Sequence, residues 1–208
     1  MAKQHLIIFT RYPEPGKTKT RLINALGDVG AALLQKQMTE HTILQVKELQ
    51  QRFAITVEVR FAGGNWELMQ NWLGLDFMYQ TQSEGDLGQR MIKSLADAFN
   101  NYAEQVIIIG TDCPGLTSHI LASAFEKLQV CDLVLGPALD GGYYLIGLRR
   151  VIPELFSQIP WGTSQVFPQT VEIARKLNLS SVYLPSLADV DLPEDLSVWE
   201  HIQMIAGK

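Results

Sequence analysis

Four short apolar runs alternate with helical patterns along this chain, and this alternation limits the possible folds more than any other feature. The runs are residues 6–9, 55–59, 106–109 and 133–135. Three of them are continuously apolar, which is typical of parallel strands covered on both faces. The run 55–59 alternates apolar and polar residues, so we expect it nearer to an edge of the sheet. Strands that alternate with helices predict an α/β fold with a twisted, mostly parallel sheet.

The helices are predicted from apolar residues that recur three or four positions apart. Asp86 is a suitable N-cap for one of them, and Pro193 suits the first turn of the last. The glycine- and aromatic-rich stretch 136–160 could form a second, smaller lobe packed on the sheet, within a single domain spanning residues 1–208. The predicted helices are residues 29–51, 86–102, 118–129, 164–177 and 193–206.

Charge and cysteine usage exclude several classes of protein. The 208 residues carry 17 basic and 22 acidic side chains, a net charge of −5, which argues against a general nucleic-acid binder. Cys113 and Cys131 have neither zinc-site spacing nor the density of a disulfide scaffold, and this usage fits a reducing compartment. No apolar run approaches the roughly 18 residues that a membrane span needs. We expect a soluble cytoplasmic protein.

The loop after the first apolar run concentrates positive charge in an otherwise acidic chain. Four of the 17 basic residues fall within 11 positions, and the loop also contains Thr10 and Gly16. Ligands of open α/β sheets bind beyond the carboxyl ends of the strands, so this position favours a phosphate site over a merely solvated basic loop. The loop is not a Walker A motif, because the first glycine of that pattern is replaced. The four cations are Arg11, Lys17, Lys19 and Arg21.

Three acidic loops lie at other predicted strand ends. Asp112 follows the run 106–109, Asp140 follows the run 133–135, and the pair Asp189 and Asp191 precedes the last helix. A carboxylate near a phosphate site is well placed to hold Mg²⁺. The alternatives are structural, since Asp112 could simply end its strand in a turn and either member of the pair could be an N-cap.

Five segments together carry a resemblance that spans essentially the whole chain. They are 13–22 (PEPGKTKTRL), 84–91 (EGDLGQRM), 110–114 (GTDCP), 140–147 (DGGYYLIG) and 189–196 (DVDLPEDL). In this order they resemble a bacterial glycosyltransferase-like family of the GT-A type, which is related to molybdopterin-cofactor and phospholactate guanylyltransferases. The resemblance implies a single-domain three-layer sandwich of the nucleotide-diphospho-sugar transferase type, with a mostly parallel mixed sheet and a divalent-metal site for Mg²⁺ or Mn²⁺.

Roles for single residues follow from the resemblance by position. It implies that Asp112 binds the metal, with Asp191 as a second ligand. The segment expected near the nucleoside consists of Gly85, Asp86, Leu87 and Gly88. The residues implied in phosphate binding are Thr10, Arg11, Gly16, Lys17, Lys19 and Arg21.

The resulting hypothesis is a metal-dependent glycosyltransferase that uses a nucleotide-activated sugar and a small hydroxylated acceptor. Asp112 and Asp140 are the candidate catalytic residues, with Asp140 orienting or deprotonating the acceptor hydroxyl. The acceptor side is aromatic rather than basic, which suits a neutral acceptor. The alternatives are a nucleotidyltransferase that couples an NTP to a small phosphorylated metabolite, or a non-catalytic nucleotide-binding protein, and a homodimer is possible in each case. The candidate acceptor residues are Gly141, Gly142, Tyr143 and Trp161.

Overall fold

The computed structural model describes residues 3–206 and contains a seven-stranded sheet with helices on both faces. The strands are β1 (Gln4–Arg11), β2 (Ile55–Ala62), β3 (Met78–Thr81), β4 (Gln105–Ile109), β5 (Leu133–Pro137), β6 (Tyr143–Leu148) and β7 (Ser181–Tyr183). The helices are α1 (Ile23–Arg52), α2 (Trp66–Leu73), α3 (Leu87–Asn100), α4 (Ser118–Lys127), α5 (Val166–Lys176) and α6 (Leu196–Ala206).

The strand order of the sheet is β3-β2-β1-β4-β6-β5-β7. Strand β6 runs antiparallel to both of its neighbours, and the other pairs are parallel. All four predicted runs lie inside strands. Three of them bury apolar side chains on both faces of the sheet, whereas the run 55–59 buries its apolar side chains on one face only. The predicted α/β class with a mostly parallel mixed sheet is confirmed.

Two apolar clusters hold the helices against opposite faces of the sheet. Helices α1, α2 and α4 pack on one face, where Leu6 and Ile8 of β1 point. Helix α3 and part of α5 pack on the other, where Ile7 and Phe9 point. Successive side chains of a strand alternate between the two faces, so β1 contributes to both clusters. The arrangement is the three-layer sandwich that the resemblance implies.

The segment predicted as a second lobe is instead part of the central sheet. Residues 143–148 form β6, which lies between β4 and β5. No strand was predicted there, because two glycines precede the apolar run and a third interrupts it. Strands β3 and β7 and helix α2 were not predicted either, since each is short and only partly buried.

Strand β2 lies one position in from the edge, with β3 beyond it. The alternation of apolar and polar residues in β2 has a cause besides its place near the edge. Glu58 is buried, and it forms a network of ion pairs with Arg60 and His5. Helix α1 is longer than predicted and is interrupted at Gly27, where φ is +71°. Within residues 3–206, no helix is both long enough and apolar enough to cross a bilayer.

The sheet topology brings the candidate loops together at one edge of the sheet, the edge formed by the carboxyl ends of the parallel strands. The carboxyl ends of β1 and β4 are adjacent, so the loops after Arg11 and Ile109 are neighbours. Because β6 is antiparallel to β4, its first residue, Tyr143, lies at the same edge. The segment after β7 returns there as well, where the Val190 amide donates a hydrogen bond to the carbonyl of Asp112 at 2.9 Å. The basic and acidic loops are therefore neighbours in space.

Candidate active site

Two adjoining cavities open at this edge of the sheet. The first, of about 250 Å³, is lined by the end of β1 and by the loops after β1 and β4. The second, of about 270 Å³, is lined by the loops around β6 and the start of α3. Asp112 and Asp191 line both cavities and therefore mark their junction.

Thr18 organises the basic loop. Its hydroxyl accepts a hydrogen bond from the Glu14 amide at 3.2 Å and lies within hydrogen-bonding distance of the carbonyls of Tyr12 and Glu14. Gly16 makes the turn with φ of +76°, a conformation that glycine adopts without steric cost. Lys17, the residue after this turn, extends into solvent and pairs with Glu14 at 2.7 Å. This part of the loop therefore faces away from the site.

Lys19 is the cation that the loop directs inwards. Its backbone is left-handed, with φ and ψ both 47°, a conformation that costs a non-glycine residue about 1–2 kcal/mol. Its side chain is only 3% exposed, and Nζ donates to Asp112 Oδ1 and to the Val190 carbonyl, each at 2.6 Å. The strained backbone thus places one ammonium group at the junction of the cavities.

The second ion pair at the junction joins Arg21 to Asp191. Arg21 Nη1 lies 2.6 Å from Asp191 Oδ2, and both side chains are partly exposed. The alternative that Asp191 caps the last helix is wrong. Leu192 occupies the N-cap position, and the carboxylate of Asp195, three residues later, accepts from the amides of Asp191 and Leu192. The Asp191 side chain is therefore available to a ligand.

Hydrogen-bonding side chains form the floor of the first cavity. Gln35 Nε2 donates to Thr39 and Thr111 at 3.1 and 3.3 Å, and the hydroxyls of Thr39 and Thr10 lie 3.0 Å apart. Gln82 Nε2 donates to the Thr10 carbonyl at 3.2 Å. Only Thr10 of this group was predicted, although Thr111 directly precedes Asp112 and Gln35 is a polar residue in the buried stripe of α1.

Carboxylates line the second cavity, which has no Lys, Arg or His among its described lining residues. The four carboxylates are those of Asp112, Asp140, Asp189 and Asp191. Asp140 Oδ1 accepts from the Gly142 amide at 2.7 Å, which fixes the direction of that side chain. Burial, and then the charge of Asp140, raises the pKa of Asp189. The field of the site is negative on this side.

Cys113, which lines the second cavity, is affected by the same negative charge. Its thiol is buried, and burial together with the charge of Asp112 raises its pKa. A thiol with a raised pKa is a poor nucleophile at neutral pH. This residue therefore contributes a small apolar surface to the cavity.

Aromatic side chains complete the second cavity. The rings of Tyr143 and Trp161 meet edge to face, with centroids 6.3 Å apart. Burial raises the pKa of Tyr143, so its hydroxyl stays protonated. Gly141 lies behind this wall with φ of +92°, and a Cβ there would come within 2.5 Å of the Ser164 backbone. The glycine allows the loop after β5 to approach the start of α5.

The segment predicted near the nucleoside lies at the start of α3, and only its residue Leu87 lines a cavity. Asp86 caps α3 by accepting from the Gln89 amide at 2.8 Å, and Leu87 lines the second cavity. A Cβ at Gly88 would lie 2.7 Å from the Phe156 carbonyl oxygen and 2.9 Å from the Trp161 ring. Gly88 thus permits the aromatic wall to pack on α3.

The predicted site residues divide into three groups by position. Those lining the first cavity are Thr10, Arg11, Lys19, Asp112 and Asp191. Those lining the second are Leu87, Asp112, Asp140, Gly142, Tyr143, Trp161 and Asp191. Those outside both described linings are Gly16, Lys17, Arg21, Gly85, Asp86, Gly88 and Gly141.

The donor set at the junction fits a divalent cation that is shared with phosphate. Asp112 and Asp191 each use one carboxylate oxygen in an ion pair, and the other oxygen of each has no hydrogen-bond partner within the described residues. No three His, Cys, Asp or Glu side chains among residues 3–206 form a metal-binding group. Mg²⁺ is commonly held by one or two carboxylates with substrate phosphates and water. The site offers that arrangement rather than a cage made only of protein.

Solved structures share this architecture. A protein of Desulfovibrio desulfuricans G20 with the provisional name nucleotide-diphospho-sugar transferase is 34% identical over 96% of this chain and 87% of its own, with a TM-score of 0.89. A nucleotidyl transferase from Methanothermobacter thermautotrophicus is 12% identical over 97% and 98% of the two chains, with a TM-score of 0.64. A CMP:2-keto-3-deoxy-manno-octonic acid synthetase complexed with CTP is 12% identical over 99% of each chain, with a TM-score of 0.58.

Sequence comparison assigns the family. No curated protein matches the chain. The family model described as "Uncharacterized protein conserved in bacteria" (DUF2064) matches residues 45–163, more than half of the chain. The match covers the predicted 84–91 and 110–114 segments and most of the wall of the second cavity. The resemblance to GT-A-type transferases is confirmed at the level of the fold, and the chain belongs to the DUF2064 family.

Proposed function

We propose that this protein is a transferase that binds a nucleotide in the first cavity and transfers the group attached to it to a small acceptor in the second. The main observation in support is how charge is distributed between the junction and the second cavity. Cations of the basic loop meet Asp112 and Asp191 there, while the second cavity has aromatic and carboxylate walls and no cation in its described lining. The names of the structural neighbours support the same general activity.

Phosphate binding is assigned to the first cavity. Lys19 is held at the junction by two hydrogen bonds, so its ammonium group is positioned before the ligand arrives. Arg11 lines the same cavity and adds a second charge. A Mg²⁺ or Mn²⁺ ion bound by Asp112 and Asp191 would neutralise charge on the phosphates. The protein groups themselves bind and orient the diphosphate.

Transfer of a sugar is the reaction that the second cavity favours. An acceptor hydroxyl attacks the anomeric carbon, the bond from that carbon to the diphosphate oxygen breaks, and the nucleoside diphosphate leaves. Asp140 is the proposed base for the hydroxyl proton, because its carboxylate is held in place by the Gly142 amide and lines the acceptor cavity. A phosphorylated acceptor would be repelled by the carboxylates of this cavity.

Nucleotidyl transfer is the second candidate, and the position of Asp191 favours it. That reaction attacks the α-phosphate and releases pyrophosphate, and a second carboxylate close to Asp112 suits a metal held near the α-phosphate. Asp191 lines both cavities together with Asp112, as such a role requires. The same basic loop would serve either reaction.

The released product distinguishes the two reactions. The protein is incubated with Mn²⁺ and a metabolite extract, once with a panel of nucleotide sugars and once with the four NTPs. We expect nucleoside diphosphate from the sugar panel, above a control without protein. Pyrophosphate from the NTP panel would replace the first candidate by the second.

A variant links turnover to the site. Asp140→Asn keeps the size of the side chain and its acceptor for the Gly142 amide while removing the base, so we expect nucleotide binding to persist and product to fall. Nucleotide binding without product from either panel would indicate a non-catalytic nucleotide-binding protein. This proposal keeps the expectations that the protein is located in the cytoplasm and that it forms a homodimer.

A further inference from the structure

A third cavity lies between the sheet and the last turns of α3, away from the edge that carries the candidate active site. Its volume is about 420 Å³, within the range of small-molecule sites, and it shares no described lining residue with the first two cavities. His5 at the start of β1 and Asp97 of α3 line it. Leu87, which lines the second cavity, precedes Asp97 by ten helical residues, about 15 Å. The third cavity is therefore a separate candidate binding site.

This cavity forms where the apolar packing of α3 ends. Within the described residues, the cluster that packs under α3 takes side chains from β1, β4, β5 and β6 but none from β2 or β3. On the same face, β2 presents Thr56, Glu58 and Arg60 to the cavity, because alternate residues of a strand point to one face. The polar half of the alternation in β2 thus lines a cavity instead of joining the core.

Two carboxylates fix Arg60 at the base of the cavity. Arg60 Nε donates to Glu58 Oε1, and Nη2 donates to Asp97 Oδ2 at 3.0 Å. His5 Nε2 lies 3.1 Å from the other oxygen of Glu58, and an imidazole needs only its neutral form to donate there. Lys93 pairs with Asp97 at 2.6 Å. The guanidinium and ammonium charges therefore balance the two carboxylates before any ligand binds.

One arm of the guanidinium group, Nη1, has no hydrogen-bond partner within residues 3–206. The Arg60 side chain is only 3% exposed, yet the buried side-chain atoms without a partner in this part of the chain are Ser83 Oγ and Trp161 Nε1. Nη1 is therefore accessible, and the open space that Arg60 lines is the third cavity. A buried ion pair often stabilises a fold no better than apolar side chains of similar volume. A fixed donor kept at the base of a cavity thus indicates a ligand.

The charge balance restricts the chemistry of this ligand. Nη1 can only donate, so the ligand presents an acceptor to it. An anion would face the carboxylates of Glu58 and Asp97, and a cation would face the guanidinium group. Met78 and Ala98 give the walls apolar surface, which suits a ring. We propose that the third cavity binds a small neutral aromatic or cyclic amide, whose carbonyl oxygen accepts a hydrogen bond from Arg60 Nη1.

Three probes with the same ring test the charge of the ligand. Benzamide, benzoate and benzylamine carry charges of about 0, −1 and +1 at neutral pH. Each is titrated into the full chain, and binding is followed by NMR. We expect benzamide to bind at least about tenfold more tightly than either charged probe, because each of these meets a like charge at the base of the cavity. Equal or tighter binding of a charged probe, or no binding of benzamide, would overturn the proposal.

Arg60→Lys tests the donor while keeping the positive charge. A lysine still balances Glu58 and Asp97, but it lacks the planar group whose third arm reaches the ligand. The affinity for benzamide should fall about tenfold, the loss of one hydrogen bond to a charged group. An unchanged affinity would contradict the role of Nη1.

Thr56→Phe tests the location with every ion pair left in place. Thr56 is half-buried in β2 and lines the cavity, and phenylalanine is well tolerated in strands, so the added ring should fill the cavity without unfolding the sheet. We expect benzamide binding to be lost. The matched control is Thr81→Phe, at an exposed position of β3 outside this cavity, and its affinity should stay within about twofold of the original protein. Binding that survives Thr56→Phe would refute the location.

Asp112→Asn excludes binding at the candidate active site. It changes the junction of the first two cavities and no residue of the third, so the affinity for benzamide should stay within about twofold. A loss of binding in this variant would place the amide at the junction and overturn the proposal. None of these measurements involves a nucleotide, so their failure would leave the transferase proposal unaffected.

Discussion

Replacing Lys19 by methionine tests the geometry of the basic loop most directly. Lys19→Met keeps the length and apolar stem of the side chain and removes only its ammonium group, which lies 2.6 Å from both Asp112 and the Val190 carbonyl. A charge-assisted hydrogen bond to a phosphate contributes about 1.5–3 kcal/mol. The loss therefore corresponds to roughly 10- to 150-fold weaker binding of a nucleoside diphosphate.

The same substitution has a separate effect on stability. The Val190 carbonyl loses a buried donor, which costs about 1–3 kcal/mol, whereas Asp112 is half exposed and stays hydrated. For a chain of this size, each kcal/mol lowers Tm by about 2–4 °C. Thermal unfolding without ligand measures this cost, and calorimetric titration at a temperature where the variant is folded measures the affinity.

Lys17→Met is the matched control. Lys17 is 67% exposed and pairs with Glu14 on the surface, a kind of ion pair that contributes about 0–1 kcal/mol. We expect its nucleotide affinity to stay within about twofold of the original protein. Equal losses in the two variants would refute the reasoning, because they would show that the loop acts through its total charge and not through the one buried ammonium group.

Three further predictions concern the metal, the acidic field and the close approach of two loops. Asp112→Asn should abolish the gain in nucleotide affinity that Mn²⁺ provides, as measured by titration with and without EDTA; an unchanged gain would make Asp112 a turn residue. Asp189 has a raised pKa, so its charged form destabilises the fold as pH rises through that pKa. Asp189→Asn should therefore stabilise the protein at pH 7, by no more than about 1 kcal/mol because solvent screens this partly exposed side chain, and the gain should vanish at low pH, where the carboxyl group is protonated in both states. A difference that grows on acidification would contradict the sign. Gly141→Ala should lower the free energy of unfolding by about 2 kcal/mol or more, and with it Tm. The reason is that the new Cβ would lie 2.5 Å from the Ser164 backbone and that a φ of +92° strains any L residue.

Much of the fold could be predicted because its signals are local. The residues 106–109 are all apolar, and burial on both faces of a parallel sheet requires such a run. Asp86 was predicted as an N-cap from its place before a helical stripe, and its carboxylate does accept from Gln89. Strand β3 gave no such signal, since three of its four residues are exposed and its pairing with β2 depends on the backbone.

The acidic half of the site was harder to predict. Asp112 and Asp140 follow apolar runs, so the rule that ligands bind at the carboxyl ends of strands identifies them. Asp189 follows no such run, and its carboxylate reaches the cavity only because Val190 is buried against α1 and α6. The position of Asp189 thus depends on residues far earlier in the chain, as the hydrogen bond from Lys19 to Val190, 171 positions away, illustrates.

The basic loop separates what the sequence by itself determined from what only the tertiary structure decided. The sequence determined that four cations follow a buried strand, and with it the sign of the charge and its place at the ligand-binding edge. It could not rank them, since Lys17 and Lys19 are the same residue type two positions apart. The structure ranks them through the left-handed backbone at Lys19 and the carbonyl of Val190. Composition sets the charge that a loop carries, but the distance at which each charge acts depends on contacts between segments far apart in the chain.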